Sequence, residues 1–367
     1  MRIAIFHNYL DNVGGAEIVC LQLARGLNAD IYTTNINFDV IKKMGFEDII
    51  PRIKSIGKIP IEAPYRQQLA FMKFRKLNLT GKYDFFIIGG DWAISGAVNN
   101  KPNLEYFHSP LNEIWAFRNY VRKSLKFWMK PIYQIWTTYI RCLYKSYFKH
   151  VQIKVCNSKN TQNRIRKYLK SDATIIFPPV DCDNYPSFNN GDYWLSVNRL
   201  TAHKRVELQM RAFALMSDKK LIIIGSSEKS RGFMEYRKFL DSIKPDNVEL
   251  INFDKIDNKK LKEFYANCRG FITTAKDEDF GMTPVEAMAA GKPVIAGNEG
   301  GYKETVINGK TGILIDDINE ENLAGAISKV DDELDKNPDK YRKACINQAK
   351  KFSVDNFIKQ IKKEIEI

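Results

Sequence analysis

The sequence lacks several features that would assign it to common classes of protein. It has no run of eighteen apolar residues, so it offers no candidate hydrophobic transmembrane helix. Its six cysteines form no CxxC pair and its four histidines do not cluster with them, which predicts reduced structural thiols and no zinc site. No complete GxGxxG motif occurs, which argues against a dinucleotide-dependent dehydrogenase. The first ten residues are too short and too interrupted for a signal peptide, so we expect a cytosolic protein, soluble or peripherally bound to a membrane.

Acidic residues are missing from one long segment. Between Glu113 and Asp172 there is no aspartate or glutamate, while the segment contains fourteen lysines and arginines. The whole chain has 57 basic and 43 acidic residues and a net charge of +14. This single segment therefore accounts for the entire charge imbalance.

Within that segment, residues 115–150 combine eleven aromatic residues with eight lysines or arginines. An interfacial segment needs rings at the depth of the lipid headgroups and cations on anionic lipid. We therefore expect these residues to face an anionic membrane surface, with Pro131 dividing them into two helices. Two alternatives are an aromatic core face with a solvated basic face, and a nucleic-acid surface. No recognised nucleic-acid module accompanies the segment, so no nucleic-acid partner is expected.

Short apolar runs alternate with amphipathic stretches, which predicts an α/β protein with two Rossmann-like domains and parallel sheets. A length of 367 residues suits two domains. An Asp-, Asn- and Pro-rich stretch at 181–192 predicts the linker, so we place the domains at 1–183 and 184–351, with a final helix at 352–367. Residues 54–74 mix basic and apolar side chains and allow no assignment. Strands are predicted at 2–6, 31–33, 83–88, 104–107, 151–157, 174–177, 193–197, 221–224, 248–253, 271–274 and 293–296.

The most informative stretch is FITTAKDEDFGMTPVEAMAAGKPVIA, residues 271–296. It predicts a strand, a helix over 283–290 and a second strand, with Thr283 and Glu286 at the spacing of a capping box. A helix start approached by small residues leaves backbone N–H groups free to bind a diphosphate. That approach consists of Phe280, Gly281 and Met282.

Two carboxylates flank this approach, and each has a purely structural interpretation. The capping box alone would explain Glu286, and Glu278 could be one of three solvated acids in a loop tip with Asp277 and Asp279. Carboxylates beside a phosphate site are useful when they accept hydrogen bonds from hydroxyl groups. The stretch therefore indicates a ligand that carries both a diphosphate and a sugar, as a nucleotide sugar does.

Three other predicted strands end in residues that suit ligand binding, because open α/β sheets bind ligands at the carboxyl ends of their strands. Gly14 and Gly15 follow the first strand and would allow close backbone approach, or would only form a tight turn. His108 follows the strand at 104–107 and could be structural. Arg199 and Lys204 follow the strand at 193–197 and could clamp a diphosphate, or could be surface charges.

The segment KDEDFGMTPVEAMAAGKPVIA resembles the E-x7-E signature of retaining glycosyltransferases of the GT-B fold, family 4. Similar landmarks are HSP at 108–110, NS at 157–158, PPVD at 178–181 and NRLTAHKR at 198–205. The resemblance implies two Rossmann-like domains facing across a cleft and a C-terminal helix that crosses back to the first domain. Asn198 and Arg205 depart from the family pattern, which has glycine at both positions.

The resemblance also implies a role for each matching residue. The catalytic group is His108, Glu278, Arg199 and Lys204, in which the two cations bind the donor diphosphate and the other two residues bind the transferred sugar. Glu286 would bind ribose hydroxyls, and Phe253 would pack on or near the base. The remaining donor-binding residues are Gly14, Gly15, Phe280, Gly281, Met282 and Thr283. No DxD metal motif is present, so we expect no metal and no other cofactor.

The function that follows is retaining transfer of a sugar from a nucleotide-diphosphate sugar to a glycan or lipid-linked acceptor. The HSPLNEIW run at 108–115 is similar to the O-antigen mannosyltransferase branch, which implies mannose. We expect the protein on the inner face of the cytoplasmic membrane. The alternatives are a nucleotide-sugar epimerase of the same fold, which would need no lipid-facing segment, and a non-catalytic membrane or nucleic-acid adaptor, which would leave the cleft residues idle.

Overall fold

A computed structural model describes residues 1–60, 65–110, 114–116, 118–186, 190–226 and 231–366. The chain divides into two compact units, Met1–Phe177 with Ile358–Ile367, and Pro178–Phe357. Each unit contains a single parallel sheet with helices between its strands, which confirms the predicted α/β class. Parts of the predicted linker (187–189) and the HSPLNEIW run (111–113), and the last residue of the predicted C-terminal helix, Ile367, lie outside the described residues.

The first unit has a seven-stranded sheet. Its strands are β1 (Ile3–Phe6), β2 (Asp30–Thr33), β3 (Ile53–Ser55), β4 (Phe85–Ile88), β5 (Asn103–Phe107), β6 (Ile153–Cys156) and β7 (Thr174–Ile175). Its helices are α1 (Gly15–Leu27), α2 (Phe38–Lys43), α3 (Tyr65–Lys76), α4 (Arg118–Ser124), α5 (Met129–Phe148) and α6 (Lys159–Leu169). The strand order is β3-β2-β1-β4-β5-β6-β7. The order reverses between β1 and β4, and ligands bind outside the carboxyl ends of strands at such a point.

The second unit repeats this plan with six strands. They are β8 (Tyr193–Arg199), β9 (Lys220–Ser226), β10 (Val248–Asn252), β11 (Gly270–Thr273), β12 (Val294–Gly297) and β13 (Gly312–Ile315), in the order β10-β9-β8-β11-β12-β13. The helices are α7 (Val206–Ala214), α8 (Arg231–Ile243), α9 (Asn258–Asn267), α10 (Met282–Ala289), α11 (Tyr302–Thr305), α12 (Glu320–Lys336) and α13 (Arg342–Ala349). The last helix, α14 (Val354–Glu364), begins in the second unit, and its residues from Ile358 onward belong to the first. Here the order reverses between β8 and β11, which places the residues after these two strands at one edge.

Most of the central strands are buried along their whole length. Every residue of β1, β4, β5, β11 and β12 is buried. Parallel strands covered on both faces are expected to be continuous apolar runs rather than alternating ones. In the first unit Phe6, Phe86 and Phe107 extend this core toward Ile140 on α5. The apolar runs of the sequence therefore locate the sheet that positions the site.

The basic aromatic segment forms two helices, but the predicted break at Pro131 is wrong. The helix α4 ends at Ser124 and α5 begins at Met129. Pro131 therefore lies in the first turn of α5, where a backbone N–H has no acceptor within the helix and a proline costs little. Among the described residues, no helix is long and apolar enough to cross a membrane.

The two ends of the second unit are paired with each other. Val180 forms an isolated parallel bridge with Ser353, and its N–H donates to the Phe352 carbonyl over 2.8 Å. This pairing ties the residues after Phe177 to the second unit. In the first unit Ile358 packs against Gly26, where an added Cβ would overlap the isoleucine side chain.

We predict opposite effects for two Gly→Ala substitutions in the second unit. At Gly312, φ is +147° and a Cβ would overlap the Val294 carbonyl, so Gly312→Ala should lower the free energy of unfolding by about 2–4 kcal/mol. Gly325 lies inside α12 with nothing within 4 Å of an added Cβ, so Gly325→Ala should raise it by about 1 kcal/mol. Urea unfolding of both variants measures this, and equal effects would contradict the backbone pairing of β13 with β12.

Candidate active site

The carboxyl ends of β8 and β11 bring three predicted site residues together. Arg199 is the last residue of β8, and Lys204 closes the short 3-10 helix that follows. The Lys204 ammonium lies 2.6 Å from a carboxylate oxygen of Glu278, and the two side chains are only 14% and 19% exposed. Burial acts to raise the pKa of Glu278, but the hydrogen bond and charge of Lys204, with the charge of Arg199, lower it below its ordinary value. Glu278 is therefore an ionised, paired carboxylate rather than a solvated loop acid.

Arg205 occupies a position where the family pattern has glycine. Its backbone conformation explains why glycine is usual at this position. Its φ is +50°, in the left-handed region that glycine adopts most easily. The guanidinium donates to the Thr274 carbonyl over 2.6 Å and forms an ion pair with Glu299. Glu299 in turn accepts from the N–H of Asp277 over 3.2 Å. The arginine thus ties the residues after β8 to those after β11 and β12.

The loop that carries Glu278 rests directly on a glycine turn. The N–H of Gly301 donates to the Glu278 carbonyl over 2.8 Å. A Cβ on Gly300 would lie 2.6 Å from the backbone nitrogen of Glu278, and φ at Gly300 is +57°. Two glycines are therefore required for this close contact, which fixes the backbone of residues 277–280.

The helix after this loop begins two residues earlier than the capping-box interpretation requires, since that interpretation makes Thr283 the N-cap. Gly281 is the N-cap of α10, with φ of +88° and no side-chain hydrogen bond, and Met282 is the first helical residue. Thr283 therefore lies inside the helix, and the capping box is wrong because a left-handed glycine turns the chain into the helix instead. Glu286 accepts a hydrogen bond of 2.7 Å from the Tyr265 hydroxyl. Burial raises the pKa of Glu286 above its ordinary value, and Tyr265 opposes this.

Two predicted donor contacts are aromatic, and the structure places them differently. The Phe280 side chain is 2% exposed and meets the ring of Phe352 at 5.3 Å, so its side chain belongs to the core and only its backbone faces the loop. Phe253 begins a 3-10 helix directly after β10 and is half-buried. Two strands, β9 and β8, thus lie between β11 and the strand that Phe253 follows.

In the first unit, the two glycines lie at the start of α1. Gly14 is the N-cap of α1 in an extended conformation, and a Cβ there would overlap the Glu17 carboxylate. Glu17 lies 3.9 Å from Nε2 of the buried His7, whose Nδ1 is 3.1 Å from the Gly89 carbonyl. Interactions with Cys20 and Glu17 outweigh burial and raise the pKa of His7 to about 10. His7 and Glu17 thus form a buried ion pair behind Gly14.

His108 lies at the carboxyl end of β5, as predicted. Its ring meets that of Tyr106 at 5.2 Å, and its carbonyl accepts from Asn157 over 2.6 Å. Its Nε2 is buried without a hydrogen-bond partner in the described part of the chain. Burial and then the positive charge of His7 lower its pKa to about 4, so His108 is neutral near pH 7 and can exchange hydrogen bonds with a hydroxyl group.

The predicted residues therefore form two groups, one in each unit. Arg199, Lys204 and Glu278 are brought together in the second unit, with the start of α10 following in the chain. His108 and the glycines follow separate strands in the first unit. Sequence reasoning missed five residues that hold these groups: His7, Glu17, Arg205, Tyr265 and Glu299. The departure of Arg205 from glycine was the only signal among them.

Comparisons with known proteins agree with this geometry. The family "Glycosyl transferases group 1" matches residues 182–352. Of the solved structures, Anabaena Alr3699/HepE with UDP-glucose superposes with a TM-score of 0.77 at 16% identity over the full length of both chains. A sucrose-phosphate synthase of Thermosynechococcus elongatus gives 0.75 at 17% identity, over 100% of this chain and 98% of that one. The chain is a GT-B glycosyltransferase. The resemblance drawn from the sequence is thereby confirmed.

Similar curated relatives of this GT-B glycosyltransferase share one name. The alpha-1,3/1,6-mannosyltransferase ALG2 of Saccharomyces cerevisiae is 29% identical, over 83% of this chain and 71% of the relative. ALG2 of Candida glabrata is 27% identical, over 84% and 78%. ALG2 of Dictyostelium discoideum is 27% identical, over 86% of both chains. These matches cover more than four fifths of the chain, so the similarity is not confined to the second unit.

We predict that acid destabilises the first unit of the glycosyltransferase through His108. The pKa of about 4 in the folded state is below the ordinary histidine pKa of 6.5, so the unfolded chain takes up the proton first. The contribution is complete above pH 6.5 and is lost as the pH falls toward 4. His108→Gln should therefore reduce the loss of unfolding free energy between pH 7 and 4.5 by about 2 kcal/mol. Urea unfolding at several pH values measures this, and parallel pH profiles for wild type and variant would contradict it.

Proposed function

We propose that this enzyme transfers mannose, with retention of configuration, from GDP-mannose to a hydroxyl group of a glycan or lipid-linked acceptor. The observation that carries the choice of mannose is the similarity to alpha-1,3/1,6-mannosyltransferases over more than four fifths of the chain. The paired charges after β8 and β11 support a donor with a diphosphate. The proposal therefore specifies the base and the sugar of the donor and the class of acceptor, and each of these can be tested.

The diphosphate binds to Arg199 and Lys204 in this proposal. Lys204 is already held by Glu278 at 2.6 Å, so a diphosphate oxygen competes with the carboxylate for the same ammonium group. When the donor binds, Lys204 turns to the diphosphate, and the Glu278 carboxylate accepts hydrogen bonds from sugar hydroxyls. The two cations and the backbone N–H groups at the start of α10 carry the charge of the leaving group, so we propose that no metal is required.

The other residues orient the ligand. Tyr265 holds one oxygen of Glu286 at 2.7 Å and leaves the other for the ribose hydroxyls. Neutral His108 binds a hydroxyl of the transferred sugar through its unpaired Nε2. We propose same-face substitution: the bond from C1 to the diphosphate breaks, the acceptor oxygen bonds to C1, and its proton passes to the departing phosphate oxygen.

We also propose that α5 lies on an anionic membrane surface. Its buried face carries Ile140, Tyr144 and Phe148. The opposite face has large apolar side chains at helical spacing, which are 54–71% exposed. They are Trp128, Ile132, Ile135 and Tyr139, here named the apolar stripe. Exposed cations flank the stripe at both ends, at Arg122, Lys123 and Lys126 and at Lys145 and Lys149. Exposed rings and aliphatic groups between cations match the interface of an anionic bilayer.

The donor proposal predicts a selective thermal shift. GDP-mannose well above its dissociation constant should raise the melting temperature by a few degrees, because a bound ligand stabilises the folded state by about 2–3 kcal/mol. Arg199→Ala should abolish the shift. Arg211→Ala, which removes a cation from α7 without touching the site, should keep it. A larger shift with UDP-glucose would refute the choice of base and sugar, and no shift with any nucleotide sugar would refute the donor site.

The membrane proposal predicts salt-sensitive sedimentation with vesicles that contain phosphatidylglycerol. Ile132→Ser combined with Ile135→Ser should weaken binding about tenfold or more, because two exposed apolar side chains no longer enter the interface. Leu215→Ser is the matched control, since Leu215 is 60% exposed on the other unit. Binding that both variants reduce equally, or that salt does not affect, would argue against docking through α5.

A further inference from the structure

Two arginines, Arg118 and Arg141, join α5 to α4 and to the residue Ile114 that precedes it. Arg118, the first residue of α4, donates to the side-chain oxygen of Gln134 on α5. Arg141 on α5 donates through Nε to the Ile114 carbonyl over 2.7 Å. Gln134 and Arg141 are two turns apart, about 10 Å along the helix. Both guanidinium groups therefore lie between the same two stretches of chain.

The charge of this pair is uncompensated. In the part of the chain that the structure describes, neither guanidinium forms an ion pair with a carboxylate. The stretch that contains both helices supplies no carboxylate of its own, since residues 114 to 171 include no aspartate or glutamate. Burial and then the charge of Arg118 lower the pKa of Arg141. Nε of Arg118 is buried without a hydrogen-bond partner among the described residues. Half-buried like charges with a spare donor are expected where an anion binds.

The position of the pair favours one kind of anion. Successive helical residues are about 100° apart, so Gln134 and Arg141 lie roughly 140° around α5 from the apolar stripe. A phosphate held there is raised about one helix diameter, roughly 10 Å, above the stripe. The headgroups of ordinary phospholipids would meet the exposed cations beside the stripe. A lipid whose phosphate is linked to an acceptor glycan differs, because its phosphate has to leave the headgroup layer for the glycan to reach the enzyme.

We propose that Arg118 and Arg141 bind the phosphate or diphosphate group of the lipid-linked acceptor, whose hydrocarbon chain follows the apolar stripe. Planar guanidinium groups bind phosphate oxygens in pairs, which single ammonium groups do not. Gln134 completes the site with its amide group. This inference rests on the proposed lipid-linked acceptor and on docking through α5, and it is independent of which sugar the enzyme transfers.

The test is binding of the full-length protein to phosphatidylcholine vesicles that contain hexadecyl diphosphate. Vesicles with hexadecanol, and vesicles with phosphatidylglycerol at the same surface charge, are compared. Wild type should prefer the diphosphate vesicles at least tenfold over phosphatidylglycerol. Arg118→Gln and Arg141→Gln should each remove most of this preference. The matched controls Arg122→Gln and Lys145→Gln change the same charge on the same helices and should keep the preference, while weakening binding to both kinds of anionic vesicle.

Several outcomes would overturn the inference. They are equal binding of wild type to both anionic vesicles, retention of the preference in both arginine variants, and an equal loss in all four variants, which would leave only diffuse electrostatic attraction. If Arg141→Gln fails to fold because its bond to Ile114 is lost, Arg118→Lys and Arg141→Lys replace it, and these should lose the preference while keeping the charge. The GDP-mannose thermal shift should persist in every folded variant, so failure of the donor proposal is seen separately.

Discussion

The ion pair between Lys204 and Glu278 is the contact on which the candidate donor site depends. Both side chains are largely removed from water, so neither charge is tolerable without the other or a substitute. A donor diphosphate is such a substitute for the carboxylate. The pair is held in place by backbone contacts that leave little freedom: Gly300 and Gly301 lie directly against the Glu278 loop, and Arg205 with Glu299 fixes both sides of it. The backbone of the Glu278 loop is therefore preorganised before any ligand is bound, which lowers the free energy needed to orient it.

The sheets could be predicted from the sequence because parallel strands buried on both faces form continuous apolar runs. The first unit also shows where this signal fails. The strand β3 is an edge strand of three residues, Ile-Lys-Ser, with two of them exposed. The helix α3 buries only Ala70, Phe71 and Phe74 and is otherwise rich in basic and polar side chains. Neither element has enough apolar residues for its helical or strand periodicity to be recognised in the sequence. Both depend on packing against other parts of the fold.

The site could be predicted only as far as residue type and chain position determine it. Arg199, Lys204 and Glu278 follow adjacent strands, so the topology alone brings them together. The predicted capping box was wrong because Thr283 and Glu286 have the right spacing for it but can equally lie inside the helix. Gly281, in the left-handed region, is the N-cap instead. Tyr265 lies 21 residues from Glu286 and Glu299 lies 94 residues from Arg205. Tertiary packing brings such partners together, and no local sequence pattern predicts them.

The absence of acidic residues from 114 to 171 places a physical constraint on the first unit. Cations on α4, α5 and α6 repel one another, and α5 in addition exposes the apolar stripe to water. Both costs are present in the isolated protein, and the proposed membrane docking would lower each of them: anionic lipid would meet the exposed cations, and hydrocarbon would cover the stripe. The pair of Arg118 and Arg141 fits neither, because it is half-buried and on another side of the helix. The proposed third partner, a phosphate raised above the membrane plane, would compensate this half-buried charge, which docking through the exposed surface does not reach.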